Sequence, residues 1–578
     1  MKSAKVFLLL YVILVSGVVS AQNLAAPNWK FHTGDDPAWA DPKFDDSGWG
    51  EIATGTVWEK QGYDKYDGYA WYRASAVIRS TLKKKALKQG GFVLNLGKAD
   101  DADITYFNGE VIGKTGTFPP NYTGAYDVER AYTVPVSKVS WDKPNMIAVR
   151  VFDNAGDGGL WGSPAEFAVK GFSDQITIGV VLPTKDHILK NADALILPVT
   201  LRNTSGESFE GKLTLEVKTD FGDAAATMGS SFKAAKGSTK SHSFNVFDLK
   251  PGFYLGAVRF ECPDFIKQHQ FAFGVDPEKV VSPPDPQADF ADYWARAKKE
   301  LAAVDPQFKM IRKDSLCTDK RDFYLVEMRS LQNVLVRGWY SAPKKPGKYA
   351  AFLHVQGYST FMQPGWMVQD DDFASFGLNI RGHGNSRDDV NPGFPGYLQD
   401  HLLDHECYIY RGAYMDCLRA LDFLCSRPEV DTARIVVEGG SQGGALSFAT
   451  AALAPERIRL CVPGVPFLSD FPHYFKVASW PGNEFVQFAK DHPSVTWDQI
   501  YYTLSYVDIK NLSPWIKAPV FMSIGLMDET CPPHINFAAY NNLSVPKEYV
   551  AYPYSGHGLP ADNTTIRMAW VRKQLGMK

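Results

Sequence analysis

Ser441 stands among four glycines in the stretch VVEGGSQGGAL, Val436 to Leu446. The residues just before it, RIVV from Arg434, are β-branched and apolar and read as a buried strand; ALSFATAALA, Ala445 to Ala454, reads as a helix. A serine at so sharp a strand-to-helix turn strains the backbone and brings the two elements close together. Gly439, Gly440, Gly443 and Gly444 would permit both. A glycine-rich turn of this kind also occurs as plain packing or as a phosphate cradle, so the turn alone does not make Ser441 a nucleophile. A serine hydroxyl becomes one only when a base accepts its proton and an acid holds that base in place.

Both partners follow in the chain. APVFMSIGLMDETCPP predicts a strand over Val520 to Ile524 with Asp528 just past its carboxyl end, where an acid can reach a site crevice. KEYVAYPYSGHG predicts a strand through Tyr552 and a loop carrying His557. Of the two histidines after Asp528, His534 opens the next helix, which leaves His557 as the base. Alone, Asp528 reads equally as a helix cap and His557 as an ordinary loop histidine. Three such residues at strand ends, in the order serine, acid, histidine, favour nucleophilic acyl transfer. The oxyanion would then be held by the backbone N–H of Gln442 and by that of Tyr358, in the loop QGYST after the predicted strand YAAFLHV. No metal or cofactor is called for by this chemistry.

The elements that must position these residues lie in a chain of 578 residues, long enough for three or four domains at roughly 150 residues each. Its net charge of −3, without a basic block, argues against nucleic acid or an anionic membrane as partner and leaves small molecules and neutral polymers. Lys2 and Lys5, an apolar run from Val6 to Val19 and Val19-Ser20-Ala21 predict a secretory signal over residues 1–21, hence a secreted or periplasmic protein. No later stretch is apolar for long enough to span a membrane. The seven cysteines have no Cys-x-x-Cys spacing, so neither a disulfide scaffold nor a cysteine zinc site is expected.

Residues 22–172 are rich in turns and aromatics, with short alternating segments such as ADITYF and MIAVRVF, and predict an all-β sandwich. Trp39, Trp49, Trp58, Trp71 and Trp161 read as core rather than as sugar-stacking platforms, and Asp100, Asp101 and Asp103 as a solvated turn rather than a calcium site. Residues 173–280, with segments such as ALILPVTLRN and GKLTLEVKTD, predict an immunoglobulin-type sandwich that acts as a spacer. The proline-rich VSPPDPQ, Val281 to Gln287, marks the main boundary. From 281 to 578 apolar runs alternate with amphipathic segments such as GAYMDCLRALDFLCS, the pattern of a doubly wound α/β domain with a mainly parallel sheet and its own core, expected to fold alone from about Pro284.

Several phrases carry a family likeness. From about Asp289 to Gly558, FADYW, GYST, RGHGNS, YIYRGAYMDCLRALDFLCSRPEVD, GGSQGG, GLMDETCPPHINFAAYN and YPYSGH resemble carbohydrate esterase family seven, the acetyl xylan esterase and cephalosporin C deacetylase group of the α/β-hydrolases. The resemblance implies Ser441 as nucleophile, Asp528 and His557 as its partners, the N–H groups of Tyr358 and Gln442 as oxyanion donors, and an acetylated glycan as substrate. The front segment resembles the galactose-binding-like jelly-roll domain of glycoside hydrolase family two enzymes and sialate O-acetylesterases. Two positions depart from the esterase family: His383 stands in RGHG where the family usually has Gln, and Gly558 follows the histidine where it usually has Glu. They bear on the pocket rim and on the family's ring-like homo-oligomer. Arg381 reads as a structural ion-pair former. A feruloyl-type esterase, a prolyl-oligopeptidase-like peptidase and an inert sugar-binding protein are the competing readings.

Overall fold

The computed structural model describes residues 28–154, 156–190, 194–368 and 370–577. The expected signal segment lies outside the described residues. Among them no helix is long and apolar enough to cross a membrane. The chain divides into two compact units, one of residues up to 177 with the short segments 202–209 and 233–239, the other of the remainder.

In the first unit alternation produces two sheets around one core. A six-stranded sheet runs in the order Gly50–Ala53, Asn28–Thr33, Gly68–Val77, Pro144–Asp153, Ala102–Phe107, Glu110–Thr115. Its last hairpin turns on Asn108 and Gly109, both at positive φ, the conformation a tight two-residue β-turn requires. Glu166–Val169, Phe92–Asp100 and Glu129–Val134 form the path of the other sheet, and Phe31, Tyr72, Leu94 and Phe167 from both sheets lie in the shared core. Trp58 and Trp71 are fully buried and Trp49 nearly so, while Trp39 packs edge-on against Trp49. The acidic group departs from its expected solvated turn. Asp103 is fully buried, 3.0 Å from the Arg130 guanidinium, and also accepts from Thr105 and Tyr132. Sequence shows three nearby aspartates but not the arginine 27 residues on that neutralises one of them.

The second unit is built on a nine-stranded sheet, its strands labelled here in chain order: β1 Lys309–Arg312, β2 Arg321–Arg329, β3 Leu335–Pro343, β4 Tyr349–Val355, β5 Phe373–Asn379, β6 Val430–Gly440, β7 Leu460–Gly464, β8 Val520–Gly525 and β9 Lys547–Tyr552. The order is β1-β2-β3-β5-β4-β6-β7-β8-β9, antiparallel up to β5 and parallel beyond. Helices α1 Phe290–Ala302, α2 Ile409–Cys425 and α3 Gln442–Leu453 pack with it; every residue of α3 is buried, and its short side chains Gly443, Gly444, Ala445 and Ala449 allow that close approach. Further helices are α4 Phe471–Val477, α5 Gly482–Asp491, α6 Trp497–Val507, α7 Pro533–Tyr540 and α8 Asp562–Gln574. The register sets Val355 beside Gly439, Gly440 beside Gly464, and Gly525 beside Tyr552, so the carboxyl ends of β4, β6, β7, β8 and β9 open toward one crevice.

Most of a five-stranded sheet, whose central strands are Phe265–Val275, Gly252–Cys262 and Phe209–Thr219, also belongs to this unit. It is not a detached spacer. Ile188, Phe253, Ala272 and Val280 lie in the same contiguous core as the α/β sheet, and the rings of Phe253 and Phe537 sit 5.3 Å apart. The proline-rich stretch is strapped down too. Ser282 donates to Asp470 at 2.7 Å, the N–H of Asp285 to Asn511, and Asn541 to the carbonyls of Pro277 and Val280. Alternation in a strand tells which face is apolar but not what covers it. A chain begun at Pro284 would expose Phe537, so independent folding from that point is no longer expected. Phe253→Ala should lower stability by about 3 kcal/mol, as loss of a buried ring leaves a cavity, and denaturant unfolding of the full chain measures it.

Candidate active site

Ser441 takes the place between β6 and α3, with φ 60° and ψ −121°. Non-glycine residues rarely adopt such a backbone, which costs on the order of 1–3 kcal/mol and persists only where surroundings enforce it. Here the Ser441 N–H donates to Gly464 O at 2.9 Å, and Ser441 O accepts from Phe467 N at 3.0 Å. A Cβ at Gly439 or at Gly443 would run into the carbonyl of Val355, and one at Gly444 would lie 2.7 Å from Gly464 O. Gly440 has open space beside it, so of the four glycines it alone is not required by packing.

Asp528, three residues beyond β8, is buried. Its Oδ1 accepts the N–H groups of Thr530 and Cys531, both at 2.8 Å, and its Oδ2 lies 2.9 Å from His557 Nδ1. With Nδ1–H donated to the carboxylate, His557 Nε2 keeps its lone pair for a proton. The loop carrying His557 is stitched to the acid loop by Leu526 N to Tyr552 O and Met527 N to Ser555 O, each 3.0 Å, and Gly525 makes room for the backbone of Gly556. The structure thus brings Asp528 and His557 together. Ser441 Oγ faces Cys531 Sγ at 3.9 Å, and among the described residues no hydrogen bond joins it to His557. Such bonds often tighten only when substrate is bound. Burial pushes the Cys531 thiol well above its ordinary pKa, which leaves it protonated and without nucleophilic competition for Ser441.

Tyr358 and Gln442 flank the serine turn, and among the described residues neither backbone N–H finds an acceptor within the protein. What holds these two expected oxyanion donors in place lies far from them in sequence. Tyr358 donates its hydroxyl to both oxygens of Glu484, at 2.9 and 2.7 Å, and burial holds that carboxyl above its usual range. Gln442 accepts from Tyr410 OH at 2.7 Å. Its amide nitrogen stands 3.2 Å from His383 Nε2 and so must donate to it. Nothing in WPGNEF or RGHG pairs Glu484 or His383 with its partner, because the pairs are 126 and 59 residues apart. Arg381 is the ion-pair former anticipated for it: buried, bidentate to Asp416 at 2.8 and 2.9 Å, and laid against Gly412, where any side chain would collide with the guanidinium.

A cavity of about 320 Å³ borders the acid loop. Leu526 to Glu529 form one wall and strand residues Glu216, Lys218, Tyr254, Gln268 and Gln270 another. The segment expected to be a spacer therefore puts polar side chains beside Asp528. Trp480 is 45% exposed and sits edge-on to Tyr358.

A strained serine at the end of a central parallel strand, with a paired histidine and aspartate on loops after later strands, defines a serine hydrolase on an α/β sheet. The model of the acetyl xylan esterase (AXE1) family matches residues 281–573, and the chain belongs to that family. It is a carboxylic ester hydrolase. It is 29% identical over 343 residues to the acetyl esterase Axe7A of Xylanibacter ruminicola, covering 56% of this chain and 75% of that one. Among solved structures, an acetyl xylan esterase from a Paenibacillus species is 33% identical, with a TM-score of 0.49 over 51% of this chain and 98% of that one. Acetyl xylan esterase 1 from a Thermoanaerobacterium species is 29% identical, with a TM-score of 0.47 over 51% of this chain and 96% of that one.

His383 supplies a test of this packing. Burial lowers its pKa from the ordinary 6.5 to about 3, so between those values the folded protein binds fewer protons than the unfolded chain. The stability contributed by neutral His383 is complete above pH 6.5 and is lost as pH falls toward 3. His383→Gln removes this dependence while keeping a polar partner for Gln442. Between pH 6.5 and 5 the wild type should lose about 2 kcal/mol more than the variant, read from urea unfolding at each pH. Equal losses would show that His383 titrates normally in the fold.

Proposed function

We propose that the chain is an exported carbohydrate esterase that removes acetyl groups from acetylated polysaccharides or oligosaccharides through an acetyl-enzyme. The observation that carries this reading is the turn at Ser441, whose Oγ lies 3.9 Å from Cys531 in the loop of the His557-paired Asp528, in a chain of the acetyl xylan esterase family.

In the proposed cycle Ser441 Oγ attacks the acetyl carbonyl while His557 Nε2 takes the hydroxyl proton, and Asp528 stabilises the imidazolium that forms. The carbonyl oxygen, now negative, accepts from the N–H groups of Gln442 and Tyr358. Each such donor is worth on the order of 10²- to 10³-fold in rate. Collapse breaks the bond to the sugar oxygen, which leaves with the proton from His557. A water deprotonated by His557 then attacks the acetyl-serine, and collapse breaks the ester bond, returns that proton from His557 to Ser441 Oγ and releases acetate. Exposed Trp480, edge-on to Tyr358, supports a sugar as the leaving group.

The front two-sheet region is proposed as a galactose-binding-like jelly-roll domain and the middle one as an immunoglobulin-like sandwich, on the phrases and alternation described above. The lysine-flanked apolar run at the N-terminus supports export.

Acetate release from acetylated xylans, mannans and sialosides, with aryl esters of rising acyl length beside them, tests the reading. Acetyl esters should be preferred, and Ser441→Ala and His557→Ala should fold yet lose up to about 10⁶-fold in kcat. Preference for feruloyl esters would move the assignment to that class of esterase, cleavage of peptides alone would make it a peptidase, and no turnover of any ester would make it a binding protein.

A further inference from the structure

A second cluster of reactive side chains lies in the same unit and shares no residue with the site of Ser441. Asp470, in the loop after β7, His473 on α4 and His534 on α7 each present a ligand atom, and these atoms lie within 4.8 Å of one another. His473 Nδ1 stands 2.8 Å from Asp470 Oδ2, and His534 Nε2 stands 3.9 Å from the same oxygen. That last distance is too long for a hydrogen bond.

His534 is the informative member. It is 6% exposed, and its Nε2, aimed at Asp470, has no hydrogen-bond partner among the described residues. Leaving a buried ring nitrogen unmatched is unfavourable, because it loses its bond to water without gaining another. On its other side Nδ1 lies 3.0 Å from Asp220 Oδ2, an ion-pair distance without hydrogen-bond alignment. An imidazole with a carboxylate at one nitrogen and the other turned toward further ligand atoms approaches the arrangement of a metal-binding histidine, in which the outer carboxylate accepts the N–H and so sets tautomer and basicity. Phe221, next to Asp220, closes the cluster with its ring 4.8 Å from His534 and 5.4 Å from His473. The His473 side chain is 37% exposed and leaves a way in from solvent.

Charge favours a dication as well. Asp470 and Asp285 face the Lys510 ammonium at 3.4 and 3.1 Å, Asp220 adds a further carboxylate at His534, and burial raises the pKa of Asp508 to about 7, so among the described residues acidic groups outnumber the cation at the cluster. Ser282 Oγ donates to Asp470 Oδ2 and orients it. Two imidazoles and one carboxylate select a borderline transition-metal ion such as Zn²⁺ over Ca²⁺ or Mg²⁺, which prefer all-oxygen sites. In a tetrahedral zinc site with bonds of about 2 Å the ligand atoms are about 3.3 Å apart, so His534 would draw in toward Asp470 while His473 moves slightly away from it.

We infer that Asp470, His473 and His534 form a structural site for a Zn²⁺-class ion, with Asp220 as the outer carboxylate on His534. The ion would tie together the loop after β7, the segment leading from Asp528 into α7, and the strand-loop tip that carries Asp220. Cysteine spacing offers no hint of it, because these donors are histidine and aspartate brought together from residues 220, 470, 473 and 534.

The test is calorimetric titration of the chelator-treated full chain with Zn²⁺, alongside the visible absorption of a Co²⁺-loaded sample. One equivalent should bind, with tetrahedral Co²⁺ bands and a raised melting temperature. His473→Ala, at a half-exposed position that should fold normally, should abolish the bands, and Asp220→Asn should weaken affinity about 10- to 100-fold. His534→Gln should also abolish binding; should it fail to fold, His473→Ala decides. Absence of saturable binding by the wild type, or unchanged binding by His473→Ala, overturns the assignment.

Discussion

The backbone of Ser441 is the constraint on which the C-terminal region depends. A residue at φ 60° and ψ −121° cannot relax into helix or strand, and its conformation is held from three sides. Gly464 accepts its N–H, Phe467 donates to its carbonyl, and the fully buried helix α3 starts at the next residue. Gly439, Gly443 and Gly444 let β4, β6, β7 and α3 approach closely enough to impose this. The strain has a chemical return, because it projects one hydroxyl from the carboxyl end of a central strand, near two backbone N–H groups that have no acceptor among the described residues.

The loops after β8 and β9 serve that hydroxyl. Asp528 is held by two N–H donors from its own loop, which leaves one carboxylate oxygen to orient His557. The layer behind is built on the same principle of satisfied buried polar groups. His383, Gln442 and Tyr410 form one chain and Tyr358 and Glu484 another, so the backbones proposed to hold the oxyanion are braced by side chains that need not touch the substrate. The five-stranded sheet extends the support outward, sharing core with α7 through Phe253 and Phe537 and walling a cavity at the acid loop.

How much of this was legible follows from sequence distance. The strands YAAFLHV and Val520 to Ile524, the helix after Ser441 and the order of Ser441, Asp528 and His557 are local patterns, read directly from apolar runs and turn residues, and the structure has β4 at Tyr349–Val355 and β8 at Val520–Gly525. Partnerships across the fold left no such trace. Asp103 looked like part of a hydrated turn because Arg130 is on another strand. The middle segment looked like a spacer because alternation in GFYLGAVRFE does not say that Phe253 meets Phe537. Glu484 was invisible, since its task is to hold a tyrosine whose backbone, not its side chain, belongs to the site.

The most direct measurement is the mass of the covalent intermediate. The full chain should be mixed with an excess of an aryl acetate, quenched in acid during steady turnover, digested and sequenced by mass spectrometry. One acetyl group on Ser441 is the expected result, absent from His557→Ala treated in the same way. An acetyl group carried by Cys531 or another side chain, or rapid turnover that persists in Ser441→Ala, would contradict the account.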